Sequence, residues 1–115
     1  MTKLNFSMND GVLIVQGKEI KLPYPAVQAL DYQGLIVVRV DPEVGQIFNR
    51  NVFALDANGG VKWQITESPH GTEVDKPYTS ITISEDNQLI AGNWNGVDYA
   101  VTLDDGSITP ISFNK

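Results

Sequence analysis

The sequence predicts an all-β domain of antiparallel meanders, and three observations carry that prediction. Apolar residues recur at every second position, as in Val52 and Ala54, in Val61, Trp63 and Ile65, and in Val97, Tyr99 and Val101. That period lines one face of a pleated strand. Turn-forming runs separate these stretches: Asn9-Asp10-Gly11, Asn58-Gly59-Gly60 and Asp104-Asp105-Gly106 supply residues that accept positive φ, as short hairpin loops require. The chain also repeats itself. The segment from Pro23-Tyr24 to Leu35-Ile36 lies 54 residues before the segment from Pro77-Tyr78 to Leu89-Ile90, with matching alternation between.

Taken in order, the elements begin with an N-terminal hairpin, its strands near 3–8 and 12–20 flanking Asn9-Asp10-Gly11. The first repeat, 23–65, reads as strands near 26–31, 34–40, 51–56 and 61–65. The second, 77–113, reads as strands near 79–84, 88–93, 97–103 and 107–113. Pro25 would suit the first turn of a helix over 25–30. Its counterpart in the repeat, Thr79-Ser80-Ile81-Thr82-Ile83, is β-branched, so strand is assigned to both. The expectation is about ten strands, two repeats plus the hairpin, packed as a sandwich or an incomplete propeller.

Composition bounds the rest. A chain of 115 residues suits one domain, 1–115, and its 42% hydrophobic and 19% charged residues are ordinary for a globular protein. The longest aliphatic run, Leu35-Ile36-Val37-Val38, is too short to cross a bilayer, and Met1-Thr2-Lys3-Leu4-Asn5-Phe6 does not read as a secretory signal, so a cytoplasmic location is expected, with no membrane partner. With no cysteine and a single histidine, disulfides, thiolate metal sites and most acid–base constellations drop out. His70 has no nucleophile fixed beside it by spacing, and the aspartates of the hairpin tips suit turn hydrogen bonds better than a carboxylate pair. No enzymatic activity, cofactor or metal is expected.

The segment Phe53-Ala54-Leu55-Asp56-Ala57-Asn58-Gly59-Gly60-Val61-Lys62-Trp63 resembles the outer-strand hairpin of quinoprotein-type β-propeller repeats, with their Ala-Leu-Asp, glycine turn and tryptophan. The later copy keeps Leu103, Asp104 and Gly106 but has Pro110 where the tryptophan would fall. The resemblance implies a blade-type sheet and brings no cofactor residues.

Charge and loop length point to a working face. Residues 41–105 carry eleven acids against Arg50, Lys62 and Lys76, a balance of −8, within a chain of net charge −6. Such a field repels phosphate backbones and attracts basic surfaces, so a nucleic-acid partner is not expected. In an up-and-down meander the connections alternate between two ends, which sends 41–50, 66–78 and 93–96 to one end and the tight turns at 9–11, 57–60 and 104–106 to the other. The first two are the expanded connections of the repeat, and long loops on a rigid β scaffold commonly carry function. The candidate partner-binding residues are Asp41, Glu43, Phe48, Arg50, Glu67, His70, Glu73, Asp75 and Trp94. Aromatic anchors among carboxylates would engage a basic protein, the charges raising the association rate and the rings supplying affinity; the alternative is that Phe48, Ile47 and Trp94 cap the open end of the sandwich. The expected function is thus protein binding, in its most specific form an acidic inhibitor or immunity-type protein that neutralises a basic toxin such as a nuclease. Two alternatives stay open: a carbohydrate- or small-ligand-binding β module using Trp94, and a structural subunit joined through sheet edges. Open edges also allow a homodimer.

Overall fold

The structure, a computed structural model, describes residues 4–70 and 74–113. They form eleven antiparallel strands in three sheets. The first sheet holds β1 (Phe6–Asn9), β2 (Val12–Val15) and β3 (Lys18–Ile20). The second runs in the order β4 (Ala26–Tyr32), β5 (Leu35–Val40), β6 (Val52–Leu55), β7 (Val61–Gln64), and the third holds β8 (Tyr78–Ile83), β9 (Leu89–Asn93), β10 (Val97–Val101) and β11 (Ile108–Phe113) as neighbours in chain order. No helix among the described residues is long and apolar enough to cross a membrane.

The expected hairpin is a three-stranded sheet. The stretch 12–20, read from sequence as one strand, turns back at Gln16 (φ 51°) and Gly17 (φ 78°), and Val15 pairs with Lys18. Two successive positive φ values are the signature of a type I′ turn, whose twist matches the strands it joins. Gln-Gly is a weaker turn signal than Asn-Gly, so alternation carried the sequence reading through it. The extra reversal changes the parity of everything before it. The 9–11 turn therefore lies at the start of β4, where Gly11 O accepts from Ala26 N at 2.8 Å, and not beside the 57–60 turn.

The sheets stack as three layers, so the two-layer sandwich is not what forms. One face of the second sheet, with Ile36, Val38, Val40, Phe53 and Leu55, meets Leu13 and Val15 of the first. Its other face, with Val37, Val52, Ala54 and Trp63, meets Tyr78, Ile81, Ala91 and Tyr99 of the third. The continuous aliphatic run in β5 follows from this placement, since a strand covered on both sides has no solvent face to keep polar. Each such side chain contributes roughly 1.5–3 kcal/mol on burial.

The repeat also shifts register. Pro25 O accepts from Asp41 N at 3.0 Å, and Pro77 O accepts from Trp94 N at 3.0 Å, so Pro25 and Pro77 are the equivalent residues. Both opening strands are bulged, at Ala26/Gln28 and at Tyr78/Ser80. Tyr24 and Tyr78, paired by the sequence alignment, thus do different work. Tyr24 packs on Phe48 at 5.1 Å between ring centroids, whereas Tyr78 is buried between the second and third sheets.

The turn joining β6 to β7 lies on the first sheet, with Gly59 against Ile20 and Val15, and the turn joining β10 to β11 lies on β7, with Gly106 against the Trp63 ring. Trp63 Nε1 donates to Leu103 O at 2.7 Å across that contact. Each turn thus rests on the preceding sheet.

Candidate functional site

The connections 41–50, 66–78 and 93–96 meet at one end of the second and third sheets, and amide side chains join them. Asn49 takes the backbone of the second connection with both amide atoms, Nδ2 donating to Val74 O at 2.7 Å and Oδ1 accepting from Lys76 N at 2.8 Å. Asn51, fully buried, does the same for Tyr78: Oδ1 accepts from Tyr78 N at 2.8 Å, while Nδ2 donates to Tyr78 O at 2.9 Å and to Val40 O at 3.0 Å. Gln28 holds Ile81 N at 3.1 Å and Ile81 O at 2.6 Å, and Asn93 Nδ2 donates to Lys76 O at 2.9 Å. Val74, Lys76, Tyr78 and Ile81 are therefore held through their backbone by side-chain amides, from β4, from the connection before β6 and, for Lys76, also from β9. Among the described residues every buried side-chain nitrogen and oxygen finds a partner, as burial requires.

A second cluster ties 66–70 to 93–96. Ser68, almost fully buried, is hydrogen-bonded through Oγ to the Tyr99 hydroxyl, and His70 Nδ1 lies 2.8 Å from the same hydroxyl. Asn95 Nδ2 donates to Ser68 Oγ at 2.9 Å and to His70 O at 3.1 Å. The His70 ring stacks on Tyr99 with centroids 5.8 Å apart. Tyr78, edge-on to Tyr99, donates through its hydroxyl to Thr66 O at 2.6 Å. Burial, then the nearby Tyr99 and Glu67, pushes the Tyr78 phenol well above its usual range, so it stays a donor.

The sequence-derived candidates divide on this frame. Glu43, Glu67 and Asp75 are exposed at the loop end, and Trp94 is 64% exposed with its amide held by Pro77. Asp41 is exposed and ion-paired to Arg39 at 3.1 Å. Phe48 is half-buried between Tyr24 and Phe53, which makes it a cap on the core more than a free anchor. Arg50 donates to Ile65 O at 2.9 Å and to Gln64 O at 3.2 Å, clamping the end of β7. His70 is half-buried and engaged by Tyr99. Glu73 lies outside the described residues.

Val44 and Val74, not singled out from sequence, stand exposed on the same connections as Trp94, and so does Ile47, which therefore does not cap the sheet end. The residues that hold the loops together, Gln28, Asn49, Asn51, Ser68, Asn93, Asn95 and Tyr99, were not singled out either. A weak signal existed for the asparagines, which cluster at 49, 51, 93 and 95 beside strand ends, where an amide can satisfy neighbouring backbone. Among the described residues no group of three or more His, Asp or Glu is placed to hold a metal ion.

No curated protein and no solved structure matches the chain. A family model described as "Domain of unknown function (DUF7957)" matches residues 1–113, and the chain belongs to that family.

Proposed function

We propose that the chain is a non-catalytic protein-binding domain whose long-loop end docks a basic protein. The observation that carries this reading is the composition of that end: Val44, Ile47, Val74 and Trp94 are exposed on connections fixed by the amide network, and Glu43, Glu67 and Asp75 are exposed on the same connections. Apolar anchors on a held backbone lose little entropy on docking, and the carboxylates steer a cationic partner. The most specific form of the proposal is a cytosolic inhibitor of immunity type that occludes a basic toxin such as a nuclease. We also read the four-stranded meanders as propeller-type blades, because the opening strands β4 and β8 are bridged by Gln28 and each outer turn rests on the preceding sheet.

The test is stopped-flow association with a panel of basic proteins, lysozyme and pancreatic ribonuclease among them, at low and high salt. Binding to at least one is expected to slow by tenfold or more, on the scale of electrostatic steering, when Glu43, Glu67 and Asp75 are together replaced by lysine. Unchanged association rates would remove the electrostatic basis of the proposal. Binding to saccharides that is insensitive to salt and lost in Trp94→Ala would favour a carbohydrate module instead.

A further inference from the structure

Two Asn-Gly pairs stand in turns of the same build, one at each end of the sheets. In 56–59, Asp56 Oδ1 accepts from Asn58 N at 2.9 Å and Gly59 N donates to Asp56 O at 3.0 Å. In 93–96, Asn93 Oδ1 accepts from Asn95 N at 3.0 Å and Gly96 N donates to Asn93 O at 3.0 Å. The two glycines have φ 91° and 87°. The backbones match, so the asparagine side chains carry the difference. Asn95 is half-buried and fixed at both side-chain amide atoms: Nδ2 donates to Ser68 Oγ at 2.9 Å and to His70 O at 3.1 Å, while Oδ1 accepts from Val97 N at 2.9 Å. Asn58 is exposed, and its side-chain amide forms no hydrogen bond among the described residues.

We propose that Asn58 is a site of spontaneous covalent modification, deamidated to aspartate and isoaspartate, and that the loop end protects Asn95 from the same reaction. Glycine after asparagine favours this chemistry, because it has no Cβ to keep its nitrogen from the side-chain carbonyl carbon. Gly59 N, its proton passing to solvent base, attacks Asn58 Cγ. The N–Cγ bond forms, the Cγ–Nδ2 bond breaks, and Nδ2 leaves as ammonia with a proton from water. Water then opens the cyclic imide at either carbonyl, giving aspartate or isoaspartate; no oxidant or reductant takes part. Both products carry a carboxylate where an amide stood. Isoaspartate also lengthens the main chain by one methylene, in a turn whose Gly59 sits against Ile20 and Val15. Its free α-carboxylate, on an exposed turn, is a substrate for enzymes that methylate isoaspartyl carboxylates. Asn95 reaches the same attack geometry only when its side-chain hydrogen bonds open.

The test is incubation of the full chain in mildly alkaline buffer, with conversion at each asparagine followed by peptide mapping and mass spectrometry. Isoaspartate is read separately, as methyl label transferred from S-adenosylmethionine by an isoaspartyl methyltransferase. Asn58 is expected to convert at least about tenfold faster than Asn95, the factor that opening three hydrogen bonds sets as a minimum. Asn58→Ala should lose most of the methyl label. Ser68→Ala, which removes one acceptor of Asn95 Nδ2, should speed conversion at Asn95 roughly fivefold, the scale of one hydrogen bond, and leave Asn58 unchanged. In guanidinium chloride the two sites should convert at similar rates, since both are Asn-Gly. Equal rates in the folded chain, or no conversion at Asn58, would overturn the proposal. A ratio that denaturant leaves intact would show that the flanking sequence protects Asn95, and would overturn the part assigned to the loop end, as would an unaltered Asn95 rate in Ser68→Ala.

Discussion

The two ends of the sheets are held together by different physics. At the turn end each loop is closed by its own residues before it rests on the preceding sheet: Asp56 Oδ1 accepts from Asn58 N and Gly60 N at 2.9 Å, and Asp105 Oδ1 accepts from Ser107 N at 3.0 Å. At the loop end the partners are far apart in sequence, with 27 residues separating Asn51 from Tyr78 and 31 separating Ser68 from Tyr99. The closure of these turns is written in local sequence, and only their seating on Ile20, Val15 and Trp63 depends on the neighbouring sheet. The loop end exists only once the second and third sheets have packed, so its order is a consequence of the whole fold. A backbone held that way has no counterpart in the unfolded chain, which suits the docking role proposed for it.

The sharpest way to break this contrast is Asn51→Ala. It leaves Tyr78 N, Tyr78 O and Val40 O short of partners in a dry interior, and a loss of about 3 kcal/mol or more in chemical denaturation is expected from unsatisfied buried groups. Asn58→Ala, at an exposed turn, should change stability by less than about 0.5 kcal/mol. Next in size is Gly106→Ala. The residue has φ 75°, and a Cβ there would lie 2.5 Å from Trp63 Cε3, so backbone strain and overpacking combine to about 3 kcal/mol. Gly17→Ala, at φ 78° with nothing within 4 Å of its Cβ, isolates the backbone part at about 1 kcal/mol. Equal losses at the two glycines would mean that the turn does not rest on Trp63. Tyr99→Phe comes third, at about 1–2 kcal/mol, because the ring stays packed while Ser68 loses a hydrogen bond in the interior. The variant should also speed amide exchange in 66–70 while leaving 56–60 unchanged.

The same contrast decides what could be read from the sequence. Strand alternation and Asp-Gly turns are written within a few residues, and they placed the eight strands β4 to β11 within two residues of their observed bounds. The turn at Gln16-Gly17 escaped because neither alternation nor a strong turn dipeptide marked it. Its loss reversed the parity of the first sheet and hid the contact of the 9–11 turn with the start of β4. Strand parity was enough to bring 41–50, 66–78 and 93–96 together, since reversal of direction needs no side-chain detail. Which residues would bind them was unreadable, because an asparagine that pairs a backbone 25 residues away has the same local context as one in solvent. Phe48 stayed open for a related reason: an aromatic residue in a long connection reads equally as an anchor or as a cap until Tyr24 and Phe53 are seen on its two sides.

The smallest expected effect tests the turn end on its own terms. Backbone hydrogen bonds from Gly60 and Asn58 hold the Asp56 carboxyl below the usual carboxylate range, and the bond from Ser107 does the same for Asp105. A carboxyl whose folded pKa lies below its unfolded value binds protons more readily when unfolded, so these turns stabilise the fold above the unfolded pKa of about 3.8 and lose that contribution as pH falls through the lower folded value. The double variant Asp56→Asn, Asp105→Asn keeps an oxygen acceptor at each position and removes only the titration. Its Tm should therefore start below that of the parent near pH 7, where the parent keeps the carboxylate contribution, fall less steeply between pH 5 and pH 2, and meet the parent in acid. A parallel decline would mean that acid acts elsewhere, and the loop-end carboxylates Glu67 and Asp75 would then be the next to replace.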